Sequence, residues 1–130
     1  MSGFLLDTSV LIALDEHSEI ELPERAAISI ITLGELHAGV LLAASAAVRA
    51  TRQERLAAVQ TAFDPLLVDR QVALAYGEVL AVARRAGRAE KATDLLIIAT
   101  AAATGRTLNT RDARQASLAE LAAVPIVHAT

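Results

Sequence analysis

Four acidic residues in this chain do not fit the pattern of ordinary solvated charges. Asp7 directly follows a short apolar run of the kind that forms a buried strand, and Asp112 follows a second such run, 107–110, after Arg111. Glu35 and Asp94 each lie near the start of a helical segment, among apolar and small residues. Because a carboxylate in apolar surroundings needs a partner or a function, these four acids are candidates for one shared site.

Each of the four acids also has a local structural explanation. Asp7 and Asp112 could serve turns, Asp94 could cap its helix, and Glu35 could balance the helix dipole in a first turn. The combination favours a site, because all four map to one edge of one predicted sheet. We expect the other acids to fall in the 15–24 loop, at helix caps or on exposed helix faces.

Convergence of four carboxylates has a chemical consequence. At an effective dielectric of about 20, one like-charge pair at about 4 Å costs roughly 4 kcal/mol, so either protons or a hard divalent cation must be present. The chain has no cysteine, and we interpret His17, His37 and His128 as structural because no two share metal-ligand spacing. Oxygen-only ligands favour Mg²⁺ or Mn²⁺ over Zn²⁺. Such a cation would polarise a phosphodiester and activate water, which indicates phosphoryl chemistry.

The elements that must position these acids alternate along the chain. Predicted strands cover 4–6, 26–31, 66–68, 107–110 and 125–128, and predicted helices cover 10–14, 32–44, 45–62, 70–86, 93–104 and 111–122. We expect Asp69 to cap one helix, and Gly87 and Gly105 to end two others. The alternation predicts a single α/β domain over residues 1–130, with a parallel central sheet of four to five strands flanked by helices on both faces. Ligands bind such sheets at the carboxyl ends of the strands.

Composition limits the other classes of function. Fifteen acids against 12 bases give a net charge of -3, so no global basic field attracts nucleic acid. Any such role rests on a local site, where Arg111 and Arg114, beside Asp112, are candidate phosphate contacts. The longest uncharged run, Leu36 to Val48, is too short to span a bilayer. The chain begins without a secretory leader, so we expect a cytoplasmic protein with no membrane partner.

Three blocks of the sequence carry a family resemblance. They are FLLDTSVLI (4–12), ITLGELHAG (31–39) and GRAEKATDLLIIATAAATGRTLNTRD (87–112). In this order and spacing the chain resembles the PIN-domain ribonucleases, and within them the VapC toxins of toxin–antitoxin pairs. The third block is the most specific, since Asp94, Gly105, Leu108, Thr110 and Asp112 are all in register. One departure is that no aromatic residue follows Asp112 closely, where many relatives carry one.

The resemblance implies a site and a set of partners. It makes Asp7, Glu35, Asp94 and Asp112 the metal-binding acids, and Thr110 an accompanying catalytic hydroxyl. It implies a Mg²⁺- or Mn²⁺-dependent endoribonuclease acting on structured RNA of the tRNA or rRNA class. It also implies a homodimer, or a larger assembly, with a VapB-like antitoxin that lies in a helical groove and blocks the site. With 54% hydrophobic residues, the run 36–48 and the alanine-rich helices are predicted contact surfaces for these partners.

Two other classes are weaker alternatives. A phosphatase of the haloacid dehalogenase type also begins with an Asp after its first strand, but it needs a second Asp where this chain has Ser9. A phospho-receiver or other non-catalytic binding module would hold Mg²⁺ around a phosphorylated Asp and would need a Lys after a later strand. Asp69 and Lys91 are poor matches to those positions.

Overall fold

Four short parallel strands form the centre of the computed structural model, which describes residues 3–14 and 21–129. They are β1 (Phe4–Leu6), β2 (Ala26–Ala27), β3 (Thr107–Thr110) and β4 (Ile126–His128), in the order β2-β1-β3-β4. β1 pairs in parallel with both β2 and β3, with Leu5 opposite Leu108. All the carboxyl ends therefore lie at one edge, and the prediction of a parallel sheet of four to five strands is confirmed.

Helices cover both faces of this sheet, as predicted. Within the described ranges they are α1 (Thr8–Ala13), α2 (Ile30–Leu41), α3 (Ala46–Ala62), α4 (Arg70–Arg85), α5 (Ala92–Thr104) and α6 (Ala113–Leu121). Successive strand residues point to opposite faces, so Leu5 packs with α4, α5 and α6, while Leu6 packs with α1, α2 and α3. Helix α5 is the most deeply buried of them, and its Ile97 and Ile98 are fully enclosed.

Two predicted strands are wrong or too long. Residues 66–68 form no strand, since only Leu66 makes an isolated parallel bridge to Ser29. The strand predicted over 26–31 ends at Ala27, because the Ser29 side chain accepts a hydrogen bond from the Ile31 amide (3.0 Å) and begins helix α2 at Ile30. Glu35 is therefore in the second turn of α2, and its interpretation as a first-turn dipole acid is wrong.

The other helix boundaries follow the predicted signals closely. The Asp69 side chain accepts from the Val72 amide at 2.9 Å, which caps α4. Gly105 takes the left-handed conformation, with φ of 65°, directly after α5. Helix α6 begins at Ala113, two residues later than predicted, because Asp112 is its cap.

Part of the predicted acidic loop lies outside the described residues, as does His17; Glu21 and Glu24 within that loop are exposed. None of the helices in the described ranges combines the length and apolar character needed to cross a membrane.

Candidate metal-binding site at the carboxyl edge of the sheet

Asp7 is the most buried of the four acids, with 5% of its surface exposed at the end of β1. Its Oδ2 accepts hydrogen bonds from the hydroxyls of Ser9 (2.6 Å) and Thr110 (3.0 Å). Charge-assisted bonds of this kind orient a carboxylate firmly. Asp7 is the N-cap residue of α1, and its carbonyl accepts from the Val10 amide at 3.0 Å, but its side chain makes no capping bond. The second oxygen, Oδ1, has no hydrogen bond within the part of the chain that the structure describes.

Glu35 is held in a similar way from the neighbouring helix. The Thr8 hydroxyl donates to Glu35 Oε1 at 2.6 Å and lies 3.0 Å from the Thr32 hydroxyl. Because a carboxylate can only accept, Thr8 gives its proton to Glu35 and accepts from Thr32. This chain of bonds joins α1 to α2 and fixes one oxygen of Glu35.

Asp94 and Asp112 occupy the amino ends of the helices on either side of β3. Asp94 lies in the first turn of α5, whose cap position is Lys91, and its backbone carbonyl accepts from the Gln115 side chain at 3.1 Å. Asp112 Oδ1 accepts from the amides of Arg114 (2.9 Å) and Gln115 (3.2 Å). Asp112, which we interpreted as a possible turn residue, therefore caps α6 through one oxygen, whereas capping by Asp94 is not supported.

The four acids share one electrostatic environment. The pKa of Asp94 is raised above its usual value, first by burial and then by the negative charges of Asp7 and Glu35, with a smaller contribution from Asp112. Lys91 acts in the opposite direction. The charges of the other three acids therefore reach Asp94, which agrees with the predicted convergence.

The donor set fits a hard divalent cation, although the acids do not form a closed cage. Across residues 3–14 and 21–129, no group of three or more acidic or histidine side chains is placed so that it could hold a metal ion together. Mg²⁺ does not require such a cage, because it keeps several waters and is commonly held by one or two carboxylates. The hydroxyl contacts leave the second oxygens of Asp7 and Glu35 for that purpose.

Thr110 is a fully buried connection between two of the acids. Its hydroxyl donates to Asp7 Oδ2 and accepts from the Asp112 amide at 3.0 Å. A single side chain at the end of β3 thus sets the position of the acid after β1 and of the backbone that carries Asp112. These two contacts give the Thr110 hydroxyl partners within the protein on both sides.

The two candidate phosphate contacts differ in their surroundings. Arg111 is exposed, and its backbone amide donates to the Ser9 hydroxyl at 3.1 Å. The Arg114 guanidinium pairs with Glu90 while 69% of its side chain remains exposed. His37 and His128, which we interpreted as structural, are both exposed.

Glu90 is a residue that the sequence analysis missed. It was expected on an exposed surface, yet only 3% of its side chain is exposed, because Arg88 and Arg114 enclose the carboxylate. Arg88 is two residues from Glu90 and could have suggested a pair, but Arg114 is distant in the sequence. The expectation that every remaining acid is solvated is wrong at this position.

Comparison with known proteins identifies the class. The PIN domain family matches residues 4–121. The chain is 45% identical over 100 residues to Ribonuclease VapC8 of Mycobacterium tuberculosis, covering 75% of this chain and 88% of that one. The chain therefore belongs to the PIN domain family and, within it, to the VapC ribonucleases.

Two further relatives agree over nearly the whole length. Ribonuclease VapC5 of Mycobacterium tuberculosis is 34% identical over 126 residues, covering 95% of this chain and 93% of that one. The crystal structure of VapBC-5 from the same organism, a member of the VapBC family of toxin–antitoxin systems, matches with a TM-score of 0.85 at 33% identity. That match covers 98% of this chain and 99% of that one.

Repulsion at Asp94 predicts that its substitution stabilises the metal-free protein. Asp94→Asn should raise Tm at neutral pH by roughly 4 °C, the shift that about 1 kcal/mol produces in a domain of this size. Because the pKa of Asp94 is raised in the folded state, the penalty is present at neutral pH and disappears as the pH falls through that pKa. The advantage of the variant should therefore shrink in acid.

Thermal unfolding followed by circular dichroism in the presence of a chelator measures both effects. Asp64→Asn, at an exposed acid in the loop after α3, is the control and should leave Tm unchanged. A lower Tm for Asp94→Asn than for the unsubstituted chain would contradict the repulsion argument.

Proposed function

We propose that this chain is a Mg²⁺- or Mn²⁺-dependent endoribonuclease that acts as the toxin of a toxin–antitoxin pair. The single observation that carries the proposal is the gathering of four carboxylates at one sheet edge, where burial and the charges of Asp7 and Glu35 raise the pKa of Asp94. The ribonuclease names of its relatives support the reaction. PIN-domain ribonucleases generally use divalent metal ions, which supports the cofactor. We infer structured RNA of the tRNA or rRNA class as the substrate, recognised through shape and exposed loops.

The acids divide into proposed roles according to their surroundings. Asp7, Glu35 and Asp94 would hold the first cation, and Asp112 would complete that site or hold a second ion. A bound divalent cation supplies charge neutralisation at the scissile phosphate and a more acidic water. Asp94 is the acid most in need of this neutralisation, because burial and its neighbours raise its pKa.

The remaining residues prepare the acids before any ligand arrives. Ser9 and Thr110 orient Asp7, and Thr8 orients Glu35, each by hydroxyl hydrogen bonds of 2.6 to 3.0 Å. Preorganised groups of this kind avoid rearrangement during the reaction. We assign Thr110 a positioning role, since its hydroxyl already serves Asp7 and the Asp112 amide.

Arg111 and Arg114 are the proposed contacts to RNA phosphates. Both are exposed beside Asp112, and arginine presents a planar set of donors that suits phosphate oxygens. The bound cation would further reverse the local negative field of the acids where RNA must approach.

The receiver-like binding module is less well supported. A receiver keeps its acceptor carboxylate accessible for phosphorylation, whereas Asp7 is buried and one of its oxygens accepts two hydroxyls. Lys91 is exposed at the cap position of α5 and does not follow a strand. The family membership of the chain also favours the nuclease.

Loss of a proposed cation ligand should abolish cleavage. We expect Asp94→Asn or Asp7→Asn to reduce RNA cleavage by more than about 100-fold, the upper end of the effects seen when groups that only support metal ligands are changed. Growth inhibition on expression should disappear in parallel. The measurement is cleavage of purified tRNA and rRNA with Mg²⁺, with Mn²⁺, and with a chelator.

Asp94→Asn is the more informative of the two variants, because we expect it to fold at least as stably as the unsubstituted chain. Asp64→Asn controls for loss of a carboxylate elsewhere. Full activity of either site variant, with contaminating nuclease excluded, would refute the assignment. Undiminished cleavage in chelator would refute the metal dependence.

We further propose that a VapB-like antitoxin binds a groove between α1, α2 and α3 and that the toxin forms a homodimer or a larger assembly. The groove is a cavity of about 460 Å³ whose walls include Glu35, Ile12, Val48 and Arg52. An occupant would cover a site acid directly. Nearby, Leu42 is 81% exposed at the end of α2, so the predicted run 36–48 does present apolar surface. The structure of the VapBC-5 relative supports a partner of this class.

A charged substitution in the groove should weaken inhibition by the antitoxin without changing RNA cleavage. We expect Val48→Asp to weaken antitoxin binding by at least about tenfold, since a docked partner would bury an unpaired charge at this position. RNA cleavage by the free toxin should be unchanged. The matched control is Val127→Asp in β4, because Val48 and Val127 are 41% and 43% exposed. Equal effects of the two variants on antitoxin affinity would place the antitoxin elsewhere.

A further inference from the structure

Glu90 is a carboxylate in the loop between α4 and α5, and only 3% of its side chain is exposed. Arg88 donates to its Oε1 through Nε (3.0 Å) and Nη2 (2.9 Å). Arg114 donates through Nε to both oxygens, at 3.1 and 3.2 Å. Acidic side chains are rarely this buried without a specific reason. The pKa of Glu90 is lowered, first by the hydrogen bond from Arg114, so the group is ionised at neutral pH.

This cluster connects the two segments that carry Asp94 and Asp112. Glu90 lies in the loop just before α5, the helix that carries Asp94. Arg114 lies in the first turn of α6, which Asp112 caps. Arg88 also donates to the Ser117 hydroxyl (3.0 Å) and to the Arg114 carbonyl (3.3 Å) on α6. The cluster is therefore built into the frame of the candidate site.

Arg114 is within electrostatic range of the site acids. Its pKa is raised first by Glu90 and additionally by the charges of Asp112 and Asp94. Its side chain is mostly exposed, so the exposed guanidinium is free to turn unless a partner holds it. A guanidinium that turned toward Asp94 or Asp112 would neutralise the same carboxylates that a cation needs. Glu90 is the acid that now holds it in place.

We propose that Glu90 is a positioning residue for the carboxylate site: it holds the Arg114 guanidinium away from Asp94 and Asp112 and so leaves these acids available to a divalent cation. This inference rests on the proposed function, because it assumes that the four acids bind a cation. In the metal-free protein, Glu90 holds Arg114, and the exposed end of its guanidinium remains available to an RNA phosphate.

The test is Mn²⁺ binding by the isolated full chain, measured by calorimetry and by the electron paramagnetic resonance signal of free Mn²⁺. We expect Glu90→Gln to weaken Mn²⁺ binding about tenfold, the lower end of the effect of groups that support metal ligands. Glu90→Gln combined with Arg114→Gln should restore the affinity, since the competing guanidinium is then absent. Glu120→Gln, at an exposed acid on α6, is the matched control and should bind normally.

Two results would overturn the proposal. The first is unchanged Mn²⁺ affinity in a folded Glu90→Gln variant, which would make the cluster merely structural. The second is a double variant as weak as the single one, which would exclude competition by Arg114. If the unsubstituted chain binds no Mn²⁺, the proposed function fails as well, whereas normal binding that is lost in Asp94→Asn leaves the function standing.

Glu90→Gln removes the carboxylate that Arg88 and Arg114 share. If this loss prevents the variant from folding, a second pair of variants tests the same proposal. Arg114→Lys keeps the charge but lacks the Nε contact with Glu90, so it should bind Mn²⁺ more weakly than the unsubstituted chain. Arg114→Gln removes the charge and should bind at least as tightly. Equal affinities of these two variants would overturn the proposal.

Discussion

Asp7 keeps a carboxylate almost entirely out of water, where an uncompensated charge is costly. Two hydroxyls, from Ser9 and Thr110, make this burial tolerable by donating to the same oxygen. Since Thr110 ends β3 and Asp7 follows β1, this contact also joins two adjacent parallel strands at their carboxyl ends. The geometry of the candidate site depends on this interaction.

The other acids are arranged around this fixed point by the same type of contact. Thr8, next to Asp7, donates a hydrogen bond to Glu35 on α2, and the Thr110 hydroxyl accepts one from the Asp112 amide. Asp94 receives no comparable hydroxyl in the described ranges, and burial and the charges of Asp7 and Glu35 raise its pKa. Asp94 is thus partly buried beside other acids, an arrangement that a bound cation would stabilise.

The sequence predicted the elements well where the signal was local. Strand ends before Asp7 and Asp112, the cap at Asp69 and the turn at Gly105 each depend on a few neighbouring residues. The strand predicted over 66–68 failed because a strand exists only through its partner, and only Leu66 finds one. The predicted start of α2 was wrong because the Ser29 cap was not recognised.

The contacts within the site could not be predicted in the same way. The hydroxyl bonds join residues 27 and 103 positions apart in the sequence, from Thr8 to Glu35 and from Thr110 to Asp7. The burial of Glu90 depends on Arg114, 24 positions away. The predicted order of strands and helices shows which residues can approach a sheet edge. It does not show which side chain each of them will contact there.

We conclude that four carboxylates share one sheet edge, and we propose that they bind a cation there. Titration of the carboxylate carbons by nuclear magnetic resonance, with and without Mg²⁺, tests it most directly. The account predicts that Asp94 titrates above the usual aspartate range in the metal-free protein and that its pKa falls when Mg²⁺ is added. Titration of Asp94 in the ordinary range, unchanged by Mg²⁺, would contradict it.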